Sequence, residues 1–361
     1  MYNGSILKIL SEQNKNIIAF SDKKAFGKYI EMSNIHIPIK NIPIWIFGMS
    51  NNFFLFLNYI WSSLLNVLIL VFSKSDDVLV YVFNNSFSSN LLNTINCRMK
   101  RNVIICCHGE LELLSPKEGD TTHIGLLAKL LRKKIKLLFH SSNYSLSFIV
   151  AGDILKKNLL SIIGDTDLKI YSIDHPYIFD KQVTKKRYSK DRILHLGTVG
   201  TLSKNKGGDD YINLIRECSA SYIDFYAIGG ASAYSVQLEK VGVKYPCKEY
   251  SFCPREVYDS FVRYMDFILF FYPSNSYQLT ASGAVFDSLR NETPILALKN
   301  DYFSYLFEKF GCFGYLFDNT KEMSDFVNSG LLLSEHSFDF QKIKSKLEPH
   351  NFVDIFGKII G

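Results

Sequence analysis

Residues 277–300 read YQLTASGAVFDSLRNETPILALKN and contain, in order, a turn of small residues, a short helix and a buried strand. The turn is Thr-Ala-Ser-Gly at residues 280–283. Thr293-Pro294 ends the helix, because a proline disfavours helical backbone for the residue before it. Residues 295–298 form an uninterrupted apolar run, which is typical of a strand buried on both faces. The stretch therefore predicts a helix whose N-terminus opens onto small side chains, followed by a core strand.

The same alternation of apolar runs with helix-length segments extends along the whole chain. Strands are predicted at residues 16–21, 44–47, 78–83, 103–107 and 135–139, and again at 193–197, 223–228, 267–271 and 294–298. Such alternation predicts βαβ units and parallel sheets. We therefore predict an α/β protein with two Rossmann-like domains that face each other across a cleft. Their predicted bounds are 1–180 and 192–345, with a linker at 181–191 and a C-terminal helix at 346–361 that returns to the first domain.

Composition limits the classes of partner. The chain has 361 residues, of which 47% are hydrophobic and 21% charged, and a net charge of +6. A dense basic stripe, as nucleic-acid-binding proteins carry, is not visible, whereas a small anionic ligand or an anionic membrane surface fits this charge. Seven cysteines without framework spacing indicate reduced thiols. No basic signal region precedes an apolar segment at the amino terminus. We expect a cytoplasmic protein, with or without peripheral contact to the inner face of the cell membrane.

One apolar segment, Phe53–Phe72, has the length of a membrane span and carries no charge. Polar residues interrupt it at Asn58, Ser62, Ser63 and Asn66. We therefore favour a buried or membrane-grazing helix over a true span.

In open α/β sheets, ligands bind beyond the carboxyl ends of the strands. After the strand at 193–197 comes a loop that contains Gly200, Lys204 and Lys206, and after the strand at 223–228 come Gly229 and Gly230. Glycine turns let backbone N–H groups surround an anion, and the lysines would neutralise a phosphate. The alternative interpretation is an ordinary solvated turn.

The helix predicted within 281–290 would carry Thr280, Gly283 and Asp287 on one stripe. Thr280 and Ser282 can cap this helix, and its free N–H groups offer a site for a phosphate. Asp287, one turn deeper, would accept hydrogen bonds from the hydroxyl groups of a ribose. The alternative is a capped surface helix with a solvated aspartate.

The order of these parts resembles the donor-binding domain of GT-B glycosyltransferases, most closely that of the retaining family 4. The family loop reads Gly-Arg-Leu, three residues, then Lys-Gly, and residues 200–207 match this spacing with Thr201 in place of the arginine. A later family motif, Glu-Ala-x-x-x-Gly-x-Pro-Val, is in register with residues 287–295, where Asp287 replaces the glutamate and Glu292 the glycine. The family's earlier glutamate falls at Leu279.

The chain is also similar to a divergent branch found in bacterial surface-polysaccharide clusters, through a Tyr-x-Leu-x-x-Ser-Gly pattern. Tyr277, Leu279, Ser282 and Gly283 carry this pattern. The resemblance covers roughly residues 190–320, and it implies that Lys206 or Lys204 contacts the donor diphosphate. It also implies that Asp287 contacts the ribose of the donor. The expected donor-binding residues are therefore Gly200, Lys204, Lys206, Gly229, Tyr277, Thr280, Ser282, Gly283 and Asp287.

On the acceptor side, His108 and Glu110 follow the strand predicted at 103–107. A histidine or a carboxylate can take the proton from an acceptor hydroxyl, so these two are the candidate catalytic residues. The alternative is a helix-capping histidine beside a solvated acid. His140 and Asn84 also follow predicted strands and are expected to line the pocket.

No metal is expected, because GT-B enzymes offset the charge of the leaving diphosphate with a helix N-terminus and basic side chains. Asp165-Thr166-Asp167 matches the Asp-x-Asp pattern of the metal-dependent GT-A fold, but a three-residue pattern arises readily by chance. No zinc spacing is present.

The leading hypothesis is a hexosyltransferase that moves a sugar from a nucleotide-sugar, UDP- or GDP-linked, to a saccharide acceptor. The acceptor would be free or lipid-linked, and the product an O-antigen or capsule polysaccharide. No separate cofactor and no nucleic acid are expected. Two alternatives stay open: a non-catalytic scaffold or binding subunit, and a nucleotide-sugar epimerase.

Overall fold

The chain forms two compact units. The computed structural model describes residues 2–13, 15–45, 47, 52–82, 84–115, 126–139, 144–164, 166–179, 193–246 and 253–361. The first unit comprises Met1–Ile178, Gln278–Ala281 and Leu347–Gly361, and the second comprises Phe179–Tyr277 and Ser282–Lys346. The predicted linker at 181–191 lies outside the described residues.

The first unit contains two parallel sheets. Strands β1 and β2 pair with each other, and a second sheet has the order β3-β4-β5-β6. The strands are β1 Ile18–Ser21, β2 Lys40–Pro43, β3 Val78–Tyr81, β4 Asn102–Cys106, β5 Ser147–Val150 and β6 Lys169–Ser172. Around them lie α1 Tyr2–Ser11, α2 Lys23–Ser33, α3 Asn52–Phe72, α4 Ser86–Met99, α5 Leu126–Phe139 and α6 Asp153–Ile163.

The last helix of the chain, Val353–Ile360, also belongs to the first unit. It is α14 in chain order. It packs on α1, and the Gln13 side-chain amide donates to Val353 O at 2.6 Å. Its buried residues Phe356 and Ile360 join Ile6, Ile9 and Ile104 in one apolar core. Burial of this apolar face, rather than intrinsic helix propensity, stabilises so short a helix.

The second unit contains one parallel sheet of order β11-β10-β9-β7-β8. The strands are β7 Leu194–Val199, β8 Ile223–Ile228, β9 Phe267–Phe270, β10 Ile295–Leu298 and β11 Gly314–Phe317. The helices are α7 Gly208–Glu217, α8 Ser235–Lys240, α9 Arg255–Tyr264, α10 Gly283–Arg290, α11 Asp301–Phe310, α12 Thr320–Asn328 and α13 Phe340–Leu347, and α14 is the final helix described above. All four side chains of β9 are buried, as expected for a central parallel strand. The predicted α/β fold with parallel sheets is confirmed.

Two predicted strands are wrong. The run at 135–139 lies within α5, where Ile135, Leu138 and Phe139 are buried at helical spacing. Of the run predicted at 44–47, the described residues 44, 45 and 47 follow β2 without forming a strand. The Phe47 ring contacts the rings of Trp45 and of Trp61 on α3, and the Trp61 indole N–H donates to Trp45 O at 2.8 Å. In both cases a short apolar run was compatible with several structures, and its neighbours decided between them.

Candidate functional site

The carboxyl edge of the second unit's sheet contains a topological switch point between β7 and β9. The chain leaves β7 for β8 on one side, whereas β9 lies on the other side of β7. A crevice forms outside the strands at such a point, and ligands of open α/β sheets bind there. Gly200 follows β7 at this edge, and Phe271-Tyr272 follow β9.

The glycines that follow β7 and β8 lie against each other. Gly200 N–H donates to Ile228 O at 2.8 Å, and Leu202 N–H donates to Gly230 O at 2.7 Å. Gly229 has a φ of 126°, and a Cβ at this residue would lie 2.4 Å from Gly200 O. Close packing of two loops therefore already requires glycine at position 229. Its predicted contact with the donor stays a prediction.

Gly207 positions its neighbour Lys206 at the crevice. Gly207 has a φ of 71°, and a Cβ there would lie 2.2 Å from Phe271 O, so the loop is pressed against the end of β9. Lys206 Nζ consequently lies 6.0 Å from the centroid of the Tyr272 ring and 3.8 Å from the position that a Cβ on Gly200 would take. Lys204, by contrast, is exposed.

Lys206 is a half-buried cation, and burial lowers the pKa of its ammonium group. Among the residues that the structure describes, no carboxylate oxygen lies within 4.0 Å of it. A partly desolvated cation without a counter-ion is unfavourable unless an anion approaches it. The crevice is therefore suited to an anionic ligand.

Aromatic side chains form the wall beside Lys206. The Tyr272 and Tyr277 rings stack with centroids 4.2 Å apart, although Tyr277 has a left-handed φ of 58°. The Tyr272 and Ser282 hydroxyl groups lie 3.3 Å apart, and burial raises the pKa of Tyr272 well above its usual value. Ser282 occupies the N-cap position of α10, but its side chain makes no capping bond there, which differs from the prediction. Gly283, the first residue of α10, is exposed.

Asp287 is buried and engaged, so the alternative of a solvated aspartate is wrong. Its Oδ1 accepts from Arg255 Nη2 at 2.7 Å, and its Oδ2 accepts from the Tyr258 hydroxyl at 3.1 Å. Arg255 also pairs with Asp259 at 2.9 Å, and Arg290 pairs with Asp259 at 3.2 Å. The sequence analysis missed this network; Arg255 and Asp259 at i,i+4 spacing were its only local signal.

Two residues that depart from the family motifs have structural explanations. Glu292 has a φ of 51°, a backbone conformation that glycine adopts readily, and its Oε1 pairs with the buried Lys344 at 2.7 Å. Glu292 forms this ion pair although its backbone has a conformation that glycine adopts more readily. Leu279, where the family has its earlier glutamate, is buried, and its N–H donates to Glu112 Oε2 at 2.9 Å within the first unit. Thr280, the next residue, also belongs to the first unit.

His108 and Glu110 lie at the carboxyl edge of the first unit's sheet. His108 Nε2 donates to Val82 O at 2.8 Å, so Nδ1 is the unprotonated nitrogen of the neutral ring. Burial lowers the pKa of His108, which keeps the imidazole neutral. The Tyr2 ring packs edge-on against it at 4.5 Å. A neutral imidazole with Nδ1 as acceptor is the form that a general base requires.

The Glu110 carboxylate accepts from His108 N–H through Oε2 at 2.9 Å, whereas Oε1 is buried without a hydrogen-bond partner among the described residues. Burial raises the pKa of this carboxyl group to about 7. The alternative interpretation of Glu110 as a solvated acid is therefore wrong. Asn84 is buried and bonds to Asn66 and Ser89, whereas His140 lies outside the described residues.

No group of three or more metal-ligating side chains occurs within the described part of the chain. Asp165, the first residue of the Asp-x-Asp pattern, lies outside it.

Comparisons with known proteins agree on the architecture. No protein-family model matches the sequence, and no curated protein matches it. The chain is similar to the solved structure of WaaG, a glycosyltransferase involved in lipopolysaccharide biosynthesis, with 10% identity, a TM-score of 0.57, and coverage of 98% of this chain and 95% of the other. It is similar to Anabaena Alr3699/HepE in complex with UDP-glucose, with 13% identity, a TM-score of 0.59 and coverage of 99% and 94%.

A third similar structure is the lipopolysaccharide outer core galactosyltransferase WaaB, with 12% identity, a TM-score of 0.54 and coverage of 89% and 85%. These identities establish the fold alone, and membership of family 4 stays a prediction. The chain has the GT-B glycosyltransferase fold.

Proposed function

We propose that the protein is a glycosyltransferase that moves a hexose from a UDP- or GDP-sugar to a saccharide acceptor in surface-polysaccharide synthesis. The observation that carries the proposal is Lys206, a half-buried cation that lies over the glycine turn and beside Tyr272 at the β7/β9 switch point. A nucleoside diphosphate would supply an anion to Lys206, which has no carboxylate oxygen within 4.0 Å among the described residues. The GT-B fold and the sugar-nucleotide complex of HepE support the choice of donor.

In the proposed mechanism, Lys206 and the N–H groups at the start of α10 would balance the charge of the departing diphosphate without a metal. His108, a neutral imidazole with an unprotonated Nδ1, would accept the proton of the acceptor hydroxyl. Glu110 is the second candidate base, because a pKa of about 7 makes it half-ionised near neutral pH. We further propose a cytoplasmic location with peripheral contact to the inner face of the cell membrane, where a lipid-linked acceptor would be found.

The experiment is a titration of the purified protein with UDP, GDP, ADP, CMP and dTDP by calorimetry, with Lys206→Ala and Lys204→Ala as a matched pair. A hydrogen bond to a charged group contributes about 1.5–3 kcal/mol, so Lys206→Ala should weaken binding of the preferred nucleotide about 10- to 150-fold. The exposed Lys204 should contribute less. Equal losses in the two variants, or no binding by any nucleotide, would contradict the assignment.

A second candidate function, a non-catalytic binding subunit, is favoured by two observations. Leu279 is buried, and both Asp287 oxygens already accept hydrogen bonds from side chains of the second unit. Release of free nucleotide from UDP-glucose or GDP-mannose, with and without saccharide acceptors, separates the two. Nucleotide binding without any turnover would favour the binding subunit.

A further inference from the structure

Helix α3 has its apolar side outward and its polar side inward. Within the described residues it is the helix that is long and apolar enough to cross a membrane, and only 17% of its most apolar 18-residue window is buried. Leu64 and Leu68 are 50% and 48% exposed. The exposed stripe recurs every three or four residues, and consists of Phe53, Phe56, Ile60, Leu64, Leu68 and Val71. This orientation is the reverse of that in a surface helix that faces water.

The inward side of α3 is hydrogen-bonded to the first unit. Asn66 Nδ2 donates to Ser88 Oγ at 2.8 Å, and Ser62 Oγ accepts from Asn85 Nδ2 at 3.0 Å. Asn58 exchanges two hydrogen bonds with the Phe47 backbone, both at 2.8 Å. A membrane-spanning α3 would give up these bonds and place amide groups in hydrocarbon, which is costly. The contacts therefore favour a helix that stays on the protein and presents its apolar stripe to a surface.

Basic side chains occur in the same helical layer. Helix α3 packs on α4, and α4 packs on α5. Strands β3, β4 and β5 are neighbours in the sheet in the same order as in the chain. Because the crossovers between parallel strands are right-handed, α4 and α5 lie on the same face of this sheet. On α5, a groove is lined by Lys129, Arg132, Lys133, Lys136 and Leu137. Lys129 and Lys133 are exposed, as are the apolar side chains of Leu130 and Leu137.

We infer that the α3 stripe and the α5 groove together form a docking surface for an anionic phospholipid bilayer. Helix α3, about 30 Å long at 1.5 Å per residue, lies along the membrane with its stripe among the acyl chains. The α5 cations contact the headgroup phosphates, because Lys and Arg are attracted to the negative surface of such a membrane. The inference deepens the proposed function, since a lipid-linked acceptor would be met there, but its test needs no sugar transfer.

The test is flotation of the full-length protein with phosphatidylcholine vesicles that contain either no or 30% phosphatidylglycerol. The wild type should float with the anionic vesicles. Leu64→Asp/Leu68→Asp should weaken binding about 100-fold or more, because each buried leucine contributes about tenfold or more. Lys129→Gln/Lys133→Gln should weaken it about 30-fold, because each cation near the surface contributes about fivefold. This second variant changes only exposed side chains, so it tests the inference even if the first fails to fold.

The control for the α3 variant is Val236→Asp/Leu331→Asp, which changes two similarly exposed apolar residues of the second unit. The control for the α5 variant is Lys240→Gln/Lys321→Gln, which changes two exposed lysines of the second unit. Both control variants should float like the wild type. The inference would be overturned if the α3 and α5 variants floated to the same extent as the wild type. It would also be overturned if the wild type bound neutral and anionic vesicles equally. A dimer in sedimentation velocity that Leu64→Asp/Leu68→Asp abolishes, without flotation, would assign the stripe to a second copy instead. Nucleotide titration of the same variants should match the wild type, which separates failure of docking from failure of the proposed function.

Discussion

Replacing Asp287 by alanine should destabilise the second unit, because its carboxylate is buried and accepts two side-chain hydrogen bonds. The bond from Arg255, at 2.7 Å, is to a charged donor, but the Arg255 side chain is 47% exposed and also pairs with Asp259. We therefore assign it about 1.5 kcal/mol, the low end for a charged hydrogen bond. The bond from the Tyr258 hydroxyl, at 3.1 Å and buried, adds about 1 kcal/mol.

The expected loss is thus about 2.5 kcal/mol in the free energy of unfolding, or about 5–10 °C in melting temperature for a unit of 150–250 residues. Urea unfolding followed by circular dichroism measures it. In a double-mutant cycle, Tyr258→Phe with Asp287→Ala should lose about 1 kcal/mol less than the sum of the single changes. A single-mutant loss below about 0.5 kcal/mol, the range of ordinary surface changes, would refute the reasoning.

The same residue allows its proposed ribose contact to be tested apart from stability. Asp287→Asn keeps an oxygen acceptor for Tyr258 and should cost less stability than Asp287→Ala. If the carboxylate also binds the ribose, Asp287→Asn should weaken the binding of UDP but not the binding of 2′-deoxy-UDP in calorimetric titrations. Equal weakening of both nucleotides would show that Asp287 acts through the ion-pair network instead.

Three further outcomes are expected. Gly229→Ala should destabilise the second unit by about 3 kcal/mol in urea unfolding, because residue 229 combines a left-handed φ with a close contact. The control is Gly230→Ala, whose Cβ would meet only ordinary contacts. Its free energy of unfolding should stay within about 1 kcal/mol of the wild-type value. Glu292→Gly should cost about 2–3 kcal/mol, because it leaves the Lys344 ammonium buried without its partner, and adding Lys344→Met should restore most of the loss. Relative to Glu110→Gln, the wild type should lose stability as the pH rises from about 4.5 to about 7, because burial raises the pKa of this group and the folded state binds its proton more tightly; parallel stability profiles of the two proteins would contradict this.

Much of the second unit could be predicted from the sequence. Its predicted strands at 223–228, 267–271 and 294–298 agree with β8, β9 and β10 to within a residue. β9 and β10 are central, almost fully buried strands and are continuous apolar runs, whereas β8 lies at the edge of the sheet and stays largely apolar despite Asp224. The strands that were not predicted are β2, β5, β6 and β11. β2, β6 and β11 contain Lys, Ser, Pro or Gly and lack a run of four apolar residues, whereas the short apolar run at 148–151 was not assigned to a strand. Their pairing with a neighbouring strand decides their structure, and a local pattern does not contain that information.

By itself, the sequence determined the α/β class, the positions of the glycine and lysine loop at 200–207 and of the small-residue turn at 280–283, and the side of the sheet on which to look for a ligand. It did so because apolar runs, glycines and prolines restrict the backbone locally. Only the tertiary structure decided that Lys206 and not Lys204 is half-buried, that Asp287 meets Arg255, and that α3 turns its apolar side outward. These outcomes depend on which side of a helix or loop a distant neighbour covers; Arg255 and Asp287, for example, are 32 residues apart in the chain.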